Sequence, residues 1–180
     1  MFNVRLAEEL AFPALQHLVL RDTQLKDINF LRKAQGLRNL NIFYCRELRN
    51  IAVLAELREL RSLSLASTKV QDLSPLSALS GSICELDLRY CSRVQDISAL
   101  SGLGMLRELD LIGTRVVDIE PLRRLSSGLV KLLLPKIPSL DISPVAALVN
   151  LEHLEAAAYT SEQVAQLSGL TALRKLVLLP

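Results

Sequence analysis

With 180 residues, 21 lysines and arginines and 19 aspartates and glutamates, the chain has one domain's length and a net charge of only +2. Nucleic-acid-binding domains usually carry a clear basic excess, so this balance argues against a nucleic-acid partner. No uninterrupted apolar stretch reaches the roughly 18 residues that span a bilayer, and the charged N-terminal segment lacks the apolar core of a signal peptide. We therefore expect a cytoplasmic protein with no membrane contact.

Half of the residues are hydrophobic, but only 4% are aromatic and tryptophan is absent, so the core must be aliphatic and chiefly leucine. The three cysteines, Cys45, Cys84 and Cys91, are too few and odd in number for a disulfide framework, so we expect reduced thiols. His17 and His153 lie far apart along the chain, and we expect neither a metal site nor a cofactor.

Residues 1–14 precede the first complete copy of the repeat described below. Phe2, Leu6 and Leu10 are spaced four apart, a helical spacing that predicts a short amphipathic helix over residues 2–11. This helix would either cap the core of the following repeats or be the tail of an earlier repeat.

Residues 15–180 carry one pattern eight times, a leucine-type residue followed by two others three and five positions later, as in Leu15, Leu18 and Leu20. Successive copies start 22 or 23 residues apart. So constant a period predicts stacked repeats that bury their apolar faces against one another, in about seven full units and a final partial unit. The copies start at Leu15, Leu37, Leu60, Ile83, Leu106, Leu129, Leu151 and Leu173.

The two halves of each unit predict different elements. In the first half, leucines alternate with other residues, as in a short strand with one buried face, and such strands would align in a parallel sheet. In the second half, apolar residues stand three apart, as in Leu73, Leu76 and Leu79, which suits a 3₁₀ turn or brief helix. The predicted fold is α/β, a solenoid in a horseshoe arc with the sheet on its concave face and short helical turns on its convex face.

The ninth position of successive units alternates threonine with cysteine. The chain turns inward here, so backbone amides need partners in a dry interior, and we expect the hydroxyl to be the better acceptor for them. Activated thiols need a positive, exposed environment, so we interpret these cysteines as structural. The residues are Thr23, Cys45, Thr68, Cys91 and Thr114.

An aspartate followed by isoleucine or leucine recurs before the predicted helical turns. One acid per coil does not form a ligand cluster, and in residues 72–75 and 141–144 proline follows where a helix would begin. We therefore interpret these residues as turn formers and not as catalytic or metal-binding groups. They are Asp27, Asp72, Asp96, Asp118 and Asp141.

The consensus L-x-x-L-x-L-x-x-T-x-V-x-D-[IL]-S-P-L-x-x-L is most complete over residues 60–79. It resembles the leucine-rich repeats typified by the regulatory subunit of protein phosphatase 1 and by the bacterial internalins. The units starting at Leu37 and Ile83 depart from it, and their Tyr-Cys pairs resemble the cysteine-containing repeats of F-box substrate receptors. The resemblance covers roughly residues 15–180 and implies the solenoid fold, but it does not imply a function, because one fold hosts many.

In such a solenoid the third, fifth, seventh and eighth residues of each unit face the concavity. At mid-sheet they form an acidic centre flanked by aromatic residues, where neighbouring carboxylates would repel one another unless Arg89 and Lys131 offset part of their charge. We predict that this face binds a protein or peptide segment of basic character, with the aromatic residues as anchors. An ordinary solvated sheet is the alternative. The predicted binding residues are Phe43, Tyr44, Glu85, Asp87, Arg89, Tyr90, Glu108, Asp110 and Lys131.

No unit combines a nucleophile, a base and an orienting group, so we expect no catalytic activity. Ser62, Ser64 and Ser67 have no neighbouring base and are interpreted as small exposed residues. The leading hypothesis is a noncatalytic interaction scaffold. The alternatives are a regulatory or targeting subunit of an enzyme such as a phosphatase, and a surface recognition module as in internalins.

The pattern loosens after residue 134. Pro135 and Pro138 disrupt unit six, Ala156 replaces an inward leucine, and Thr160 precedes a V-x-x-L pattern that predicts a capped, amphipathic α-helix in place of a 3₁₀ turn. We expect a local change of curvature near residues 135–165.

The sequence stops at residues 176–180, in the middle of a unit, where an apolar strand would form a bare sheet edge, which invites pairing with another chain. Either a second copy associates with this edge, or the protein continues and the chain is a fragment, which we favour.

Overall fold

The computed structural model describes residues 12–137, 139–157 and 160–179. Each unit contributes one strand, and the strands pair in chain order in one open sheet, every pair being parallel. The sheet confirms the predicted solenoid, whereas the helix expected over residues 2–11 lies outside the described residues. The strands are β1 (His17–Arg21), β2 (Asn39–Phe43), β3 (Ser62–Ser64), β4 (Glu85–Asp87), β5 (Glu108–Asp110), β6 (Lys131–Leu133), β7 (His153–Ala157) and β8 (Lys175–Leu179).

The strands are aligned so that equivalent positions of neighbouring units stand side by side. Side chains alternate between the two faces of a strand, so the leucine at the centre of each motif points into the core together with the leucine-type residue two positions later. One continuous aliphatic cluster results, nearly free of solvent through the middle units. The central row is Leu18, Leu40, Leu63, Leu86, Leu109, Leu132, Leu154 and Leu176.

Short 3₁₀ helices return the chain on the convex side, as the three-residue apolar spacing predicted. Leu76 and Leu79, for example, are both buried, because residues three apart share a face of a 3₁₀ helix. Proline opens three of these helices, where its missing N–H removes no hydrogen bond. They span Asn29–Lys33, Ala52–Glu56, Ser74–Leu79, Ser98–Leu100, Glu120–Leu125 and Ser143–Ala147.

In unit seven a true α-helix, α1 (Ser161–Ala165), replaces the 3₁₀ turn. Thr160 Oγ1 accepts the Gln163 N–H at 3.1 Å and Gln163 Oε1 accepts the Thr160 N–H at 3.2 Å, which forms a capping box and confirms the predicted cap. The predicted amphipathic pattern is only half right. Leu167 is buried, but Val164 is 38% exposed, because α1 ends before Leu167 and buries no residue itself. The change of curvature stays a prediction.

The recurring aspartates build turns, as predicted. In each, Oδ1 accepts the backbone N–H two residues later, at 2.8 Å for Asp72 and 2.7 Å for Asp96. Asp27, Asp118 and Asp141 form the same bond. Since the bond stabilises the carboxylate, it holds the pKa of Asp72, Asp96 and Asp141 below the ordinary value. In unit two asparagine takes the place of the aspartate, and Asn50 Oδ1 accepts the Ala52 N–H at 2.9 Å. The pattern of recurring aspartates did not predict this turn.

The expected role of the threonine hydroxyls as acceptors for backbone amides is wrong. The amides of Thr68 and Thr114 are bonded to the carbonyls of Leu65 and Leu111 within the same turn. The hydroxyls of Thr68 and Thr114 donate to those same carbonyls, at 2.8 and 2.7 Å. The turn therefore satisfies its own amides, and the side chains serve the carbonyls that are left with a free lone pair.

The cysteines of the same register are buried next to a threonine of the preceding unit. Cys45 Sγ lies 3.0 Å from Thr23 Oγ1, and Cys91 Sγ lies 3.5 Å from Thr68 Oγ1. Burial raises the pKa of the Cys91 thiol. All three cysteines are free thiols, and the environment of Cys91 is the opposite of the positive, exposed one that activates a thiol.

Strand β8 is covered on one side only. Leu176 is 41% exposed, whereas Leu109 in the same row is 1% exposed, because β7 alone among the described strands pairs with β8. Among the described residues β8 is the last strand of the sheet, and continuation of the chain beyond it stays a prediction. Association of a second copy with this strand also stays a prediction.

Candidate partner-binding surface

Two rows of outward side chains cross the concave face of β3–β6. Their members are neighbours because equivalent positions of adjacent strands are paired, and the intervening Leu86 and Leu109 point into the core. We call them the acidic rows. One row is Ser62, Glu85, Glu108 and Lys131, and the other is Ser64, Asp87, Asp110 and Leu133.

The serines of the acidic rows are hydrogen-bond donors to the acids beside them. Ser62 Oγ donates to Glu85 Oε2 at 2.8 Å, and Ser64 Oγ donates to Asp87 Oδ2 at 2.9 Å. Ser62, Ser64 and Ser67 are half-buried, so their interpretation as exposed residues is wrong. For Ser62 and Ser64 the reason is that the longer side chains of Glu85 and Asp87 on the neighbouring strand β4 reach across to them.

Arg89 and Lys131 offset part of the acidic charge, as expected. Lys131 Nζ lies 3.0 Å from Glu108 Oε2, and Arg89 Nε lies 3.2 Å from Asp87 Oδ1 and 3.2 Å from Asp110 Oδ2. Arg89 Nη2 also donates to Asp87 Oδ2 at 3.2 Å, so the pair is bidentate. Four carboxylates against two cations leave a net charge of −2 on this surface, which therefore still attracts cations.

Burial distinguishes Asp110 from the other acids of the rows. It raises the pKa of Asp110, although the Ile112 N–H at 3.0 Å and the guanidinium of Arg89 both favour its charged form. The pKa of Arg89 is raised by its hydrogen bond to Asp87, against the opposing effect of its own burial. The guanidinium thus lies between two carboxylates and pairs with both.

Three aromatic residues lie where β2 and β4 end. The rings of Phe43 and Tyr44 meet edge to face, with centroids 5.8 Å apart at an interplanar angle of 61°, and Arg21 Cζ lies 5.1 Å from the Phe43 centroid. Tyr44 is 46% exposed and Tyr90 is 62% exposed. Large aromatic rings open to solvent are the side chains that most often anchor a protein partner.

The eighth residue of each of the first five units has a left-handed backbone, and we call these residues the left-handed row. A non-glycine residue loses roughly 1–2 kcal/mol of conformational energy in this conformation, so tyrosine at these positions destabilises the fold unless its ring makes compensating contacts. The ring of Tyr90 packs over Gly113, where an added Cβ would lie 2.5 Å from Tyr90 Cδ1. The row is Asp22 (φ 51°), Tyr44 (58°), Ser67 (59°), Tyr90 (58°) and Gly113 (72°).

Two adjoining recesses bring the predicted binding residues together. One, of about 230 Å³, lies over the acidic rows. The other, of about 310 Å³, is lined by Phe43, Tyr44 and Tyr90, and also by Asn41, Ala66 and Ser67, whose positions were predicted to face the concavity but not to bind a partner. Ser64, Asp87 and Arg89 line both, so the acidic and aromatic parts form one surface.

Within the described parts of the chain, no three histidine, cysteine, aspartate or glutamate side chains are grouped closely enough to hold a metal ion. The described parts of the chain also contain no helix that is long and apolar enough to cross a membrane.

Comparison with known proteins finds similarity among solved structures, whereas neither a protein-family model nor a curated protein matches the chain. Internalin C2 from Listeria monocytogenes is 31% identical over 92% of this chain and 71% of its own, with a TM-score of 0.77. An internalin, inlF, from the same organism is 21% identical over 92% of this chain and 67% of its own, with a TM-score of 0.67.

Two more distant structures share the fold. A leucine-rich-repeat protein of Leptospira interrogans is 22% identical over 90% of this chain and 44% of its own, with a TM-score of 0.68. The plant peptide hormone receptor RGFR1, in complex with RGF2, is 14% identical over 93% of this chain and 33% of its own, with a TM-score of 0.62. The chain thus spans less than half of each of these two proteins.

Proposed function

Because the chain belongs to the leucine-rich-repeat proteins, we propose that it is a noncatalytic interaction scaffold whose concave sheet binds a basic segment of a protein or peptide. The observation that carries this proposal is the joining of the acidic and aromatic recesses through Ser64, Asp87 and Arg89. A partner lying across both recesses would meet a negatively charged surface and exposed rings together. Charge complementarity of this kind steers a partner and fixes its register, while aromatic anchors supply affinity.

The comparisons support the general form of this function. Internalin C2 shares the repeats over most of both chains, and RGFR1, of the same fold, is a peptide hormone receptor. We further infer that the repeats are of the internalin kind, since the 31% identity to internalin C2 accompanies the consensus of residues 60–79.

Reversal of the two outer carboxylates, Glu85→Lys together with Glu108→Lys, tests the proposal. Asp87 and Asp110 are unsuitable for it, because their Oδ1 atoms also accept the N–H groups of Arg89 and Ile112, and substitution would disturb the backbone. Peptides selected from a displayed random library against the unmodified chain should be enriched in lysine and arginine. Their dissociation constants should rise at least about tenfold, or 1.4 kcal/mol, on the reversed variant.

The matched control is Glu56→Lys with Glu59→Lys, the same change of charge at two exposed acids outside the sheet, paired with Arg32 and Arg38. It should leave peptide affinity within about twofold, because charges beyond the Debye length of about 8 Å at physiological salt are largely screened. Selected peptides without a basic excess, or equal weakening by both variants, would contradict binding at the acidic rows.

A further inference from the structure

The two tyrosines of the left-handed row stand two units apart with only Ser67 between them. Hydrogen bonds from the N–H of Tyr44 to Ala66 O, of Ser67 to Arg89 O and of Tyr90 to Ile112 O continue the ladder past the ends of the strands. Units are therefore separated by one strand spacing here, and the backbones of the two tyrosines lie about 10 Å apart. We call the space above Ser67 the Tyr44–Tyr90 gap.

Both walls of this gap are held in place. Tyr90 leans on Gly113, whose missing Cβ leaves the room for its ring, and Tyr44 is in edge-to-face contact with Phe43. Ala66 and Ser67 provide a low floor, and both line the same recess as the two tyrosines. Each ring thus has one packing contact with a residue outside the floor, and the recess that both tyrosines line is the groove between them.

We propose that the Tyr44–Tyr90 gap receives a proline-containing segment in the polyproline II conformation, carrying basic residues that reach the acidic rows. Polyproline II has three residues per turn and rises about 3.1 Å per residue, so one turn of about 9.3 Å matches two strand spacings of about 9.6 Å. Aromatic ridges over a groove are a general means of docking such segments, whose stiffness lowers the entropy lost on binding. The segment would run across the strands, along the axis of the solenoid.

Other backbone conformations fit the gap less well. Residues on one face of an extended strand repeat every 6.6–6.8 Å or so, about two-thirds of the distance between the tyrosines. An α-helix in the same direction repeats every 5.4 Å, or about 10.8 Å for two turns, so it matches the distance between the tyrosines of about 9.6 Å less closely than one turn of polyproline II does. The choice of a basic segment follows from the net charge of −2 that the acidic rows and Arg89 carry together, and Asp87 and Arg89 also line this recess.

This inference rests on the proposed function. A pair of probe peptides distinguishes a failure of the inference from a failure of the proposed function. One probe is a ten-residue peptide with a Pro-x-x-Pro core and two flanking arginines, and the other has alanine in place of both prolines. The sequence holds three tyrosines and no tryptophan, so fluorotyrosine labelling gives a simple ¹⁹F NMR spectrum. The variants Tyr44→Phe and Tyr90→Phe assign the two relevant signals.

The proline probe should shift both signals and bind at least about tenfold more tightly than the alanine probe. Ser67→Tyr should fill the groove and weaken binding of the proline probe at least about tenfold, and tyrosine already occupies this backbone conformation at residues 44 and 90. Asp22→Tyr, the same new side chain at the end of the row and outside the gap, is the matched control and should change affinity less than about threefold.

Equal affinity for both probes, with both weakened by Glu85→Lys and Glu108→Lys, would overturn the polyproline inference and leave the proposed function standing. Absence of shifts at both tyrosine signals would also overturn the inference. If the library selection yields no basic peptides either, the proposed function falls with it.

Discussion

Truncation of one leucine in the middle of the central row measures what the stacked core contributes. Leu109 is 1% exposed and lies between Leu86 and Leu132, both buried. Leu109→Ala removes three carbons, worth about 2.4 kcal/mol at roughly 0.8 kcal/mol for each buried carbon. The buried neighbours on both sides cannot close the cavity, so we expect a total loss of about 3–5 kcal/mol in the free energy of unfolding.

The same substitution at Leu176, in the same row, should cost much less. Leu176 is 41% exposed, so about three-fifths of its side chain is buried and the expected loss is about 1.4 kcal/mol. No closed cavity forms there because solvent reaches the site. The difference between Leu109→Ala and Leu176→Ala should therefore be about 1.6–3.6 kcal/mol.

Urea unfolding followed by circular dichroism at low micromolar concentration gives both values. Each repeat contacts only its neighbours, so β8 can open while the rest stays folded, and hydrogen exchange of its amides provides a second readout for Leu176→Ala. Equal losses for the two variants would refute the description of β8 as an exposed edge. A loss at Leu176 that grows with protein concentration would instead indicate that a second copy covers this strand.

Two further predictions concern the turns and the thiols. The pKa values of Asp72, Asp96 and Asp141 are lower in the folded chain than in the unfolded chain, so their contribution to stability is complete above about pH 4 and is lost as the pH falls further. Asparagine makes this turn at position 50, so we expect the triple aspartate-to-asparagine variant to fold. Its free energy of unfolding, measured with urea, should fall less steeply below about pH 4 than that of the unmodified chain. An unchanged fall would contradict the turn assignment. Iodoacetamide at neutral pH should alkylate half-buried Cys84 well before the fully buried Cys45 and Cys91, as followed by peptide mass spectrometry, and equal rates would show that the buried layer opens readily.

The elements set by periodic burial were predictable from the sequence. The leucine period placed the strands and their register, since a slip of one residue would turn Leu86 or Leu109 out of the core. The aspartates before Ser-Pro were recognisable as turn formers because their chemistry is local, involving an amide two residues away. Asn50 performs the same task without a charge, so the pattern of acids did not include it.

The details of the candidate surface depend on contacts between neighbouring units and were harder to predict from the sequence. Tyr44 and Tyr90 adopt positive φ without being glycine, and of the five residues in the row only Gly113 and, more weakly, Asp22 are of types that favour this conformation. The hydroxyls of Ser62 and Ser64 meet acids 23 residues away, and no local pattern predicts that contact. Identifying the face and its charge was possible, but its recesses form where side chains of three or four neighbouring units meet.

The in-register pairing of the strands makes the length of this protein adjustable in whole coils. Residues 106–128 form one period, and their removal would bring β4 beside β6 with Leu86 next to Leu132, leaving the aliphatic stack unbroken. Loss of one residue inside a strand would instead send the outward side chains that follow into the core. Lineages of such chains are therefore free to lengthen or shorten their binding face by duplication and deletion, provided that each event spans one complete coil.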